Sequence, residues 1–442
     1  MKTLLKRICL CGLAAVFIAA PSLRAAINSW VPIEASGTEG AAQLNMATLP
    51  ATASSTEKLY AAWVESGGPV GASQLRIGVY VPGSPAWWKP VDGGRGINFN
   101  ASVSAFAPRL VVHQGNLFAT WYEYASIGQI RVARYNGADD QPGWTFIDGG
   151  MSGGLNFDSR QSATSPRAVS FGGQVVVFWT ETAPKSRVAQ GAQLRARAYN
   201  GIQWTWLDGG TAAGLNVDPM LGVENGVPAV VNSRLYVVFR QSAKTVRGIA
   251  GPRQLRVKVH AGGSTWSPAD GNRSLNLDPN RDVVTHHSDG DGSALYCAWT
   301  ESNAAGVRQV RVARYDGSND SSPSWVRLDG MNPAAGLNYD AGGNASNPGI
   351  QSYNGKIYVT WTGLQTSLNR NIRRMCVWDG YQWAWADGGG ELSNVHQFPN
   401  SHTNSAAFGV YNNHLLLWHR EEVPADGGWV YPSTMLVGLE TP

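Results

Sequence analysis

Residues 325–340, WVRLDGMNPAAGLNYD, are one copy of a motif that recurs along the chain. The motif contains a Trp, an Asp-Gly pair beginning four residues later, an apolar residue followed by Asn and, in most copies, a final acid. We call it the refrain. Its Asp recurs at Asp92, Asp148, Asp208, Asp270, Asp329 and Asp387, each four residues after a Trp. A seventh copy begins at Trp30, four residues before Glu34. Repetition at a nearly fixed period predicts a repeat architecture.

Two further signatures lie between successive refrains. One is an apolar run centred on an aromatic residue, at Trp63, Trp121, Trp179, Phe239, Trp299, Trp361 and Trp418. The other follows a Gln-x-Arg pattern, as in QIRVARY at residues 129–135. A Pro lies 13 residues before the aromatic in four units, at Pro50, Pro108, Pro166 and Pro348. The runs alternate with a period of two and are separated by Gly-containing turns, which predicts short strands.

One unit therefore reads as four antiparallel strands: a Pro-led strand A, an aromatic-centred strand B, a Gln-x-Arg strand C and a Trp-led strand D. Four short strands per repeat are typical of a propeller blade, and the layout of strands B, C and D resembles that of kelch-type blades. The prediction is an all-β, seven-bladed β-propeller of four-stranded antiparallel blades. We expect the N-terminal strand at Trp30 to pair with the C-terminal blade, because this closure protects a free sheet edge.

The first residues predict a cleavable leader. Residues 1–25 combine a basic start, an apolar run too short to span a bilayer and a small-residue cleavage site, which is typical of a secretory signal peptide. The expected organisation is a signal peptide at 1–25 and a single propeller domain at 26–442, secreted or periplasmic. The leader contains four basic residues and no acid, so the formal charge of +4 is confined to it. A near-neutral domain gives no support for a nucleic-acid partner, and no later apolar run predicts a membrane span.

The two cysteines of the predicted domain, Cys297 and Cys376, lie in apolar runs. Buried free thiols are the expected state, and a single disulfide remains an alternative.

An acid at the end of strand B recurs with an Arg near the start of strand C. The pairs are Glu65 with Arg76, Glu123 with Arg131, Glu181 with Arg195, and Glu301 with Arg311. Gln241 and Gly363 stand where two other units would have the Glu. One interpretation is a structural cross-strand pair. The other is a repeated glycan site, because acid, guanidinium and aromatic plane together suit a sugar. This combination of a Trp, a Glu and an Arg is similar to the one that fungal and bacterial propeller lectins use between blades.

The refrain itself has a structural and a functional interpretation. Asp-Gly favours a turn, and the Asn side chain can bind loop backbone groups. A calcium site built from residues such as Asp148, Asn156 and Asp158 is the alternative. We favour the structural interpretation and predict no metal and no cofactor.

An enzyme would instead use unique residues around the central funnel. The 13-residue spacing places Arg109, Arg167, Glu224, His286, His287 and His402 at that rim. Histidines there could transfer protons, but a hydrolase needs two carboxylates and this rim offers one.

The sequence therefore favours three functions, in the following order. The first is a lectin-like protein that binds a glycan or cell-surface polysaccharide at the repeated Glu–Arg sites. The second is a scaffold that binds a protein through the long loops at 242–253 and 421–432. The third is a sialidase- or lyase-like enzyme that acts on a glycan in the central funnel.

Overall fold

A computed structural model describes residues 27–34, 42–83, 88–150, 153–183, 191–243, 251–330, 332, 334–391, 393, 395, 402–425, 428–430 and 433–440. The predicted signal peptide lies outside these residues. Within them the chain is almost entirely β, with one short 3-10 turn at Pro69–Gly71. No helix of the described residues is long and apolar enough to cross a membrane.

The strands follow the repeat. The first is β1 (Ile27–Glu34). Blade 1 contains β2 (Ala42–Leu49), β3 (Lys58–Glu65), β4 (Gln74–Tyr80) and β5 (Trp88–Pro90). Blade 2 contains β6 (Ser104–His113), β7 (Asn116–Tyr124), β8 (Gly128–Tyr135) and β9 (Trp144–Phe146). Blade 3 contains β10 (Ala163–Phe171), β11 (Gln174–Thr182), β12 (Ala192–Tyr199) and β13 (Trp204–Trp206).

The second half of the chain repeats this arrangement. Blade 4 contains β14 (Val223–Val231), β15 (Arg234–Ser242), β16 (Arg253–Gly262) and β17 (Thr265–Pro268). Blade 5 contains β18 (Val283–Gly290), β19 (Leu295–Ser302), β20 (Arg308–Tyr315) and β21 (Val326–Arg327). Blade 6 contains β22 (Ala345–Tyr353), β23 (Lys356–Gln365), β24 (Arg370–Trp378) and β25 (Trp383–Trp385). The last strands are β26 (His402–Tyr411), β27 (His414–Ala425), β28 (Gly428–Val430) and β29 (Ser433–Glu440).

These strands form an all-β propeller whose blades are antiparallel and pair in sequence order. The register places the aromatic of strand B opposite the Arg of strand C, as with Trp121 opposite Arg131. Because side chains alternate between the faces of a strand, the Glu two residues after the aromatic points to the same face.

The prediction of seven four-stranded blades needs a correction, because the structure contains six. The remaining sheet has five strands, in the order β1-β29-β27-β26 with β28 added on β27, and we call it the closing sheet. It differs because the C-terminal chain makes an extra hairpin, in which Val423 pairs with Val430. The N-terminal strand pairs with the C-terminal segment as expected, with Trp30 opposite Gly438.

Indole hydrogen bonds link each of blades 2 to 6 to the blade before it. The Trp of strand D donates its Nε1–H to the carbonyl of the residue that precedes the refrain Asp of the previous blade. The bonds are Trp144 to Val91 (2.7 Å), Trp204 to Ile147 (2.6 Å), Trp266 to Leu207 (2.9 Å), Trp325 to Ala269 (2.8 Å) and Trp383 to Leu328 (2.8 Å). Trp30 makes the same bond to Ala386 of blade 6 (2.8 Å). Strand β1 therefore occupies the place of a strand D.

The hydrophobic core lies in layers between neighbouring sheets. One layer packs Leu44, Trp63 and Trp88 of blade 1 against Leu416 and Trp418 of the closing sheet. The rings of Trp88 and Trp418 are stacked with centroids 5.5 Å apart. Each blade thus buries both faces, which explains the nearly continuous apolar character of strands B.

Strand A departs from prediction in blade 1. Pro108 and Pro166 lie inside strands β6 and β10, but Pro50 follows the end of β2. The connection from β2 to β3 is longer, so the 13-residue spacing from Pro50 to Trp63 is not equivalent to that in the other units.

Cys297 and Cys376 are buried and free, and burial raises the pKa of both thiols.

Candidate functional site

The Arg of strand C pairs with the refrain Asp in all six four-stranded blades. The closest nitrogen–oxygen distances are Arg76–Asp92 2.5 Å, Arg131–Asp148 3.4 Å, Arg195–Asp208 3.0 Å, Arg256–Asp270 2.6 Å, Arg311–Asp329 3.1 Å and Arg374–Asp387 3.1 Å. The Asp side chains are completely buried. Burial raises the pKa of Asp208, while Arg195 and backbone N–H groups favour its charged form. A buried pair of this kind fixes local geometry, because loss of one partner leaves an uncompensated charge.

The Glu of strand B binds the loop that enters its own blade. Glu181 accepts hydrogen bonds from the backbone N–H groups of Phe157 (2.8 Å) and Asp158 (2.7 Å) and from the indole of Trp179 (2.8 Å). Glu301 accepts the equivalent three bonds from Leu277, Asp278 and Trp299. Glu123 does the same in blade 2.

The structure brings together some of the predicted Glu–Arg pairs. Glu65 lies 3.1 Å from Arg76, and Glu123 lies 3.9 Å from Arg131. Arg195 is close enough to Glu181 for the carboxylate to favour its charged form, although burial lowers the pKa of Arg195 overall. Glu123, Glu181, Glu301, Arg131, Arg195 and Arg311 are all buried, and only Glu65 and Arg76 reach solvent appreciably. A ligand-binding role for the eight residues remains a prediction, and their described contacts stabilise the fold.

The refrain Asn connects neighbouring blades. Asn156 accepts a bond from the N–H of Ile130 (3.0 Å) and donates to the carbonyls of Gly128 and Gln161 (both 2.9 Å). The Oδ1 atom of Asn156, which a calcium ion would need as a ligand, thus already accepts a hydrogen bond from the backbone. Among the described residues no three His, Cys, Asp or Glu side chains are grouped as a metal site.

The seven strands A surround a central cavity of about 530 Å³. Each of these strands has a register shift where it pairs with strand B. At five of the shifts a non-glycine residue has a positive φ: Gln43 (56°), Ala107 (49°), Ser165 (55°), Asn225 (54°) and Asn347 (48°). All but Ser165 line the cavity. Such bulges redirect side chains and occur next to active sites, and strained backbone of this kind clusters at functional positions.

The described cavity lining combines cationic and neutral polar groups with apolar side chains. It includes Arg109, Arg167, Arg373, His286 and His287, with several amide side chains and no carboxylate. Burial lowers the pKa of Arg109 and of Arg373 to about 10. Burial and the neighbouring Arg109 lower the pKa of Arg167 well below its usual value. Arg109 and Arg167 thus face one another, which is a favourable environment for an anion, whereas Arg373 has the carboxylate of Glu421 nearby.

The two histidines are uncharged at neutral pH. Burial, together with Arg167, Arg109 and His286, lowers the pKa of His287 to about 3. Burial and Arg240 lower the pKa of His286 to about 3, although Nε2–H of His286 donates to the carbonyl of Val238 at 3.2 Å. Nδ1 of His287 is buried and has no hydrogen-bond partner within the described part of the chain. The imidazole of His287 lines the cavity in its neutral form, and a neutral imidazole can accept a proton.

Four of the six predicted rim residues line this cavity: Arg109, Arg167, His286 and His287. Glu224 instead pairs with Arg240 at 2.6 Å. The side chain of His402 lies outside the described residues. The sequence reasoning missed Arg373, which directly precedes the repeated Arg374. A doubled Arg was a usable signal, because adjacent residues of a strand point to opposite faces.

No protein-family model matches the chain, and no curated protein matches it significantly. Solved structures with a similar fold include glycoside hydrolases. An α-L-arabinofuranosidase of Fusarium graminearum has a TM-score of 0.49 and 10% identity, with 80% of this chain and 98% of that chain covered. An α-L-arabinanase of Penicillium chrysogenum has a TM-score of 0.47 and 11% identity, with coverage of 79% and 98%. A sialidase of Trypanosoma rangeli has a TM-score of 0.43 and 12% identity, with coverage of 76% and 55%.

The class defined by fold and neighbours is a β-propeller similar to those of glycoside hydrolases. The prediction of a lectin-like binding protein is corrected here: the Glu side chains of blades 2, 3 and 5 are buried and bind backbone groups of the chain itself, and structures with a similar fold include glycoside hydrolases. The physical reason for the error is that a repeated Trp–Glu–Arg pattern also arises when these side chains hydrogen-bond within their own blade.

Proposed function

We propose that the protein is an enzyme that acts on a glycan in the central cavity. The observation that carries this proposal is the strained, bulged lining with its cluster of arginines and neutral histidines. The cavity volume of about 530 Å³ lies within the range of roughly 300–1,000 Å³ typical of ligand pockets. Amides such as Asn225 and Gln351 can bind sugar hydroxyls, and Phe408 offers an apolar surface for a sugar ring.

The charge of the cavity favours a substrate that carries a carboxylate. Arg109 and Arg167 repel each other in the free protein, and a carboxylate between them would relieve this repulsion. The described lining lacks the two carboxylates that glycoside hydrolysis ordinarily uses. An elimination reaction suits it better, because that chemistry needs a guanidinium to neutralise the substrate carboxylate and a neutral base.

In the proposed reaction His287 takes the proton from the carbon next to the substrate carboxylate. The electron pair of that C–H bond forms a carbon–carbon double bond, and the glycosidic C–O bond at the adjacent carbon breaks. The departing oxygen receives the proton from His287, so the enzyme returns to its starting state. Binding of the carboxylate near Arg109 and Arg167 also raises the pKa of His287 towards its ordinary value, since both arginines lower it in the free protein.

The test compares polyuronates with neutral polysaccharides as substrates. Cleavage is followed by new reducing ends and by the ultraviolet absorbance of an unsaturated uronate product. We expect His287→Gln to lower kcat by roughly 10²–10⁴-fold and Arg167→Gln to raise KM. Arg160→Gln removes the same charge from an exposed side chain and is the matched control, with wild-type kinetics expected. Absence of cleavage of any glycan, or unchanged rates in His287→Gln, would refute the proposal.

We also propose that the closing sheet serves as a seventh blade of the ring and that residues 1–25 export the domain formed by 26–442. The bond from Trp30 to Ala386 supports the first proposal, and the leader-like sequence supports the second. N-terminal sequencing of the exported protein tests the cleavage site.

A further inference from the structure

Two polar residues interrupt an apolar layer of the strands A. In each four-stranded blade one residue of strand A pairs with the residue before the strand B aromatic, as Arg109 does with Thr120. Two positions further along strand A the six blades carry, in order, Ala47, Val111, Val169, Ala229, Asp289 and Gln351. Four blades therefore fold with an apolar residue at this position, so the fold of a blade does not require the polar pair.

Asp289 and Gln351 lie on adjacent strands A and are hydrogen-bonded to each other. Oδ2 of Asp289 accepts an amide N–H of Gln351 (3.2 Å) and the backbone N–H of Ser352 (2.7 Å). The amide nitrogen of Gln351 also donates to the carbonyl of Ser352 at 3.2 Å. Both hydrogens of this amide are thus engaged. Because a carboxylate accepts hydrogen bonds, Asp289 determines which end of the amide faces it.

The remaining polar atom of Gln351 is its carbonyl oxygen, Oε1. Gln351 lines the central cavity, whereas Asp289 lies behind it, outside the described lining. No donor among the residues that the structure describes binds this oxygen. Gln351 therefore presents an acceptor, and no donor, to a molecule in the cavity.

Asp289 is held in place by the blades on both sides. The next residue, Gly290, packs so closely against blade 4 that an added Cβ would lie 2.8 Å from the carbonyl oxygen of Val230. On the other side, Ser352 of blade 6 binds the carboxylate through its backbone N–H. Burial raises the pKa of Asp289, while the bond from Ser352 favours the charged form. Oδ2 already receives two N–H groups, so this oxygen remains an acceptor in either protonation state.

We propose that Gln351 selects a hydroxyl group of the substrate and that Asp289 is the positioning residue that fixes its amide for this purpose. The inference rests on the proposed glycan-acting function and specifies it, because it assigns a hydrogen-bond donor of the sugar to one wall of the cavity. A hydroxyl group can donate to Oε1, whereas an ether or ester oxygen cannot and would leave this acceptor unpaired. A site built to bind a hydroxyl group discriminates strongly against analogues that lack it. A sugar whose hydroxyl group is acetylated is therefore disfavoured at this wall.

The experiment measures the binding of two polyuronates, polygalacturonate and alginate, each in native and in O-acetylated form. Titration calorimetry with all variants in a His287→Gln background measures binding without turnover. Acetylation also adds bulk, so the quantity compared between variants is the ratio of the two Kd values, acetylated over native. We expect Gln351→Met to lower this ratio by about tenfold, because the hydroxyl group loses its acceptor. Gln382→Met makes the same change on an exposed turn of blade 6 and should leave the ratio unchanged.

Asp289 is tested by two substitutions with opposite expectations. Asp289→Val introduces the residue type that blades 2 and 3 carry at this position, and it frees the Gln351 amide to turn its N–H groups towards the cavity. The Kd ratio should then fall, and Gln351→Met should have no further effect in this background. Asp289→Asn keeps an oxygen that can accept both N–H groups, so it should retain the wild-type ratio. A role in stability alone would change Tm without changing this ratio.

The outcomes separate this inference from the proposed reaction. Binding with the expected ratios, but without cleavage by the wild-type protein, supports the inference and contradicts the elimination reaction alone. A ratio that Gln351→Met leaves unchanged overturns the inference, even where the polymer is cleaved. An unchanged ratio in a folded Asp289→Val protein overturns the positioning role, and Gln351→Met decides the inference if that variant does not fold. Failure of the protein to bind either polymer overturns both proposals.

Discussion

Removal of the Glu181 side chain measures how strongly its hydrogen bonds to the loop that enters blade 3 stabilise the ring. In Glu181→Ala three buried donors, two backbone N–H groups and the indole of Trp179, lose an acceptor at 2.7–2.8 Å. Each hydrogen bond to a charged group contributes about 1.5–3 kcal/mol. Part of this loss is offset, because the variant no longer buries a carboxylate, so the expected net cost is about 3–5 kcal/mol. Tm should fall by about 3–5 °C, since a chain of this size loses about 1 °C per kcal/mol.

The assay is thermal unfolding followed by circular dichroism, with Glu65→Ala as the matched control. The side chain of Glu65 is 39% exposed and pairs with the partly exposed Arg76, so its loss should cost less than about 1 kcal/mol. Glu181→Gln should fall between the two, because Gln241 shows that an amide can hold the loop. A Glu181→Ala protein that melts within 1 °C of wild type, or a Glu65→Ala protein that is equally destabilised, would refute the reasoning.

Three further predictions concern closure, pH and strain. Trp30→Ala removes a buried indole and its bond to the neighbouring blade, and should lower the unfolding free energy by about 3–5 kcal/mol in denaturant titrations; an unchanged midpoint would contradict closure by β1. The pKa values of His286 and His287 are lowered to about 3 in the folded state, so the unfolded chain binds protons first as the pH falls below about 6.5. Stability should then decrease by up to about 1.4 kcal/mol per pH unit for each histidine, and less steeply in the double Gln variant; equal slopes would count against buried neutral histidines. Ala107→Gly relieves a positive φ and should stabilise the protein by about 0.5–1 kcal/mol, whereas Ala168→Gly should destabilise it by a similar amount; calorimetry that gives both the same sign would exclude strain at the bulge.

Much of the ring could be predicted from the sequence because each strand carries its own signal. The spacing from Pro108 to Trp121 located strand A, and it correctly placed Arg109 at the central cavity. The same spacing failed at Pro50, where a longer turn separates β2 from β3. The number of residues between the Pro and the aromatic does not show whether the Pro lies inside strand A or in a longer turn after it.

The partners of the repeated acids could not be read from neighbouring residues. The carboxylate of Glu181 binds backbone groups more than twenty residues earlier, and backbone N–H groups leave no trace in side-chain composition. The Glu nevertheless follows the residue after the refrain Asn at a constant interval, as in Phe99 and Glu123 or Phe157 and Glu181. That interval is visible in the sequence and would have indicated a structural role. The cationic cavity depends on bulges that the alternation of apolar residues does not reveal.

The repetition of the Glu that binds the loop entering each blade has a consequence for how the sequence of such a ring can change. Equivalent contacts are present in blades 2, 3 and 5, so a substitution that removes one of them leaves the others in place. Blade 6 shows the result: Gly363 provides no side chain at this position, and the four strands of that blade are nevertheless paired. Duplicated contacts therefore make the ring tolerant of substitution at any single copy.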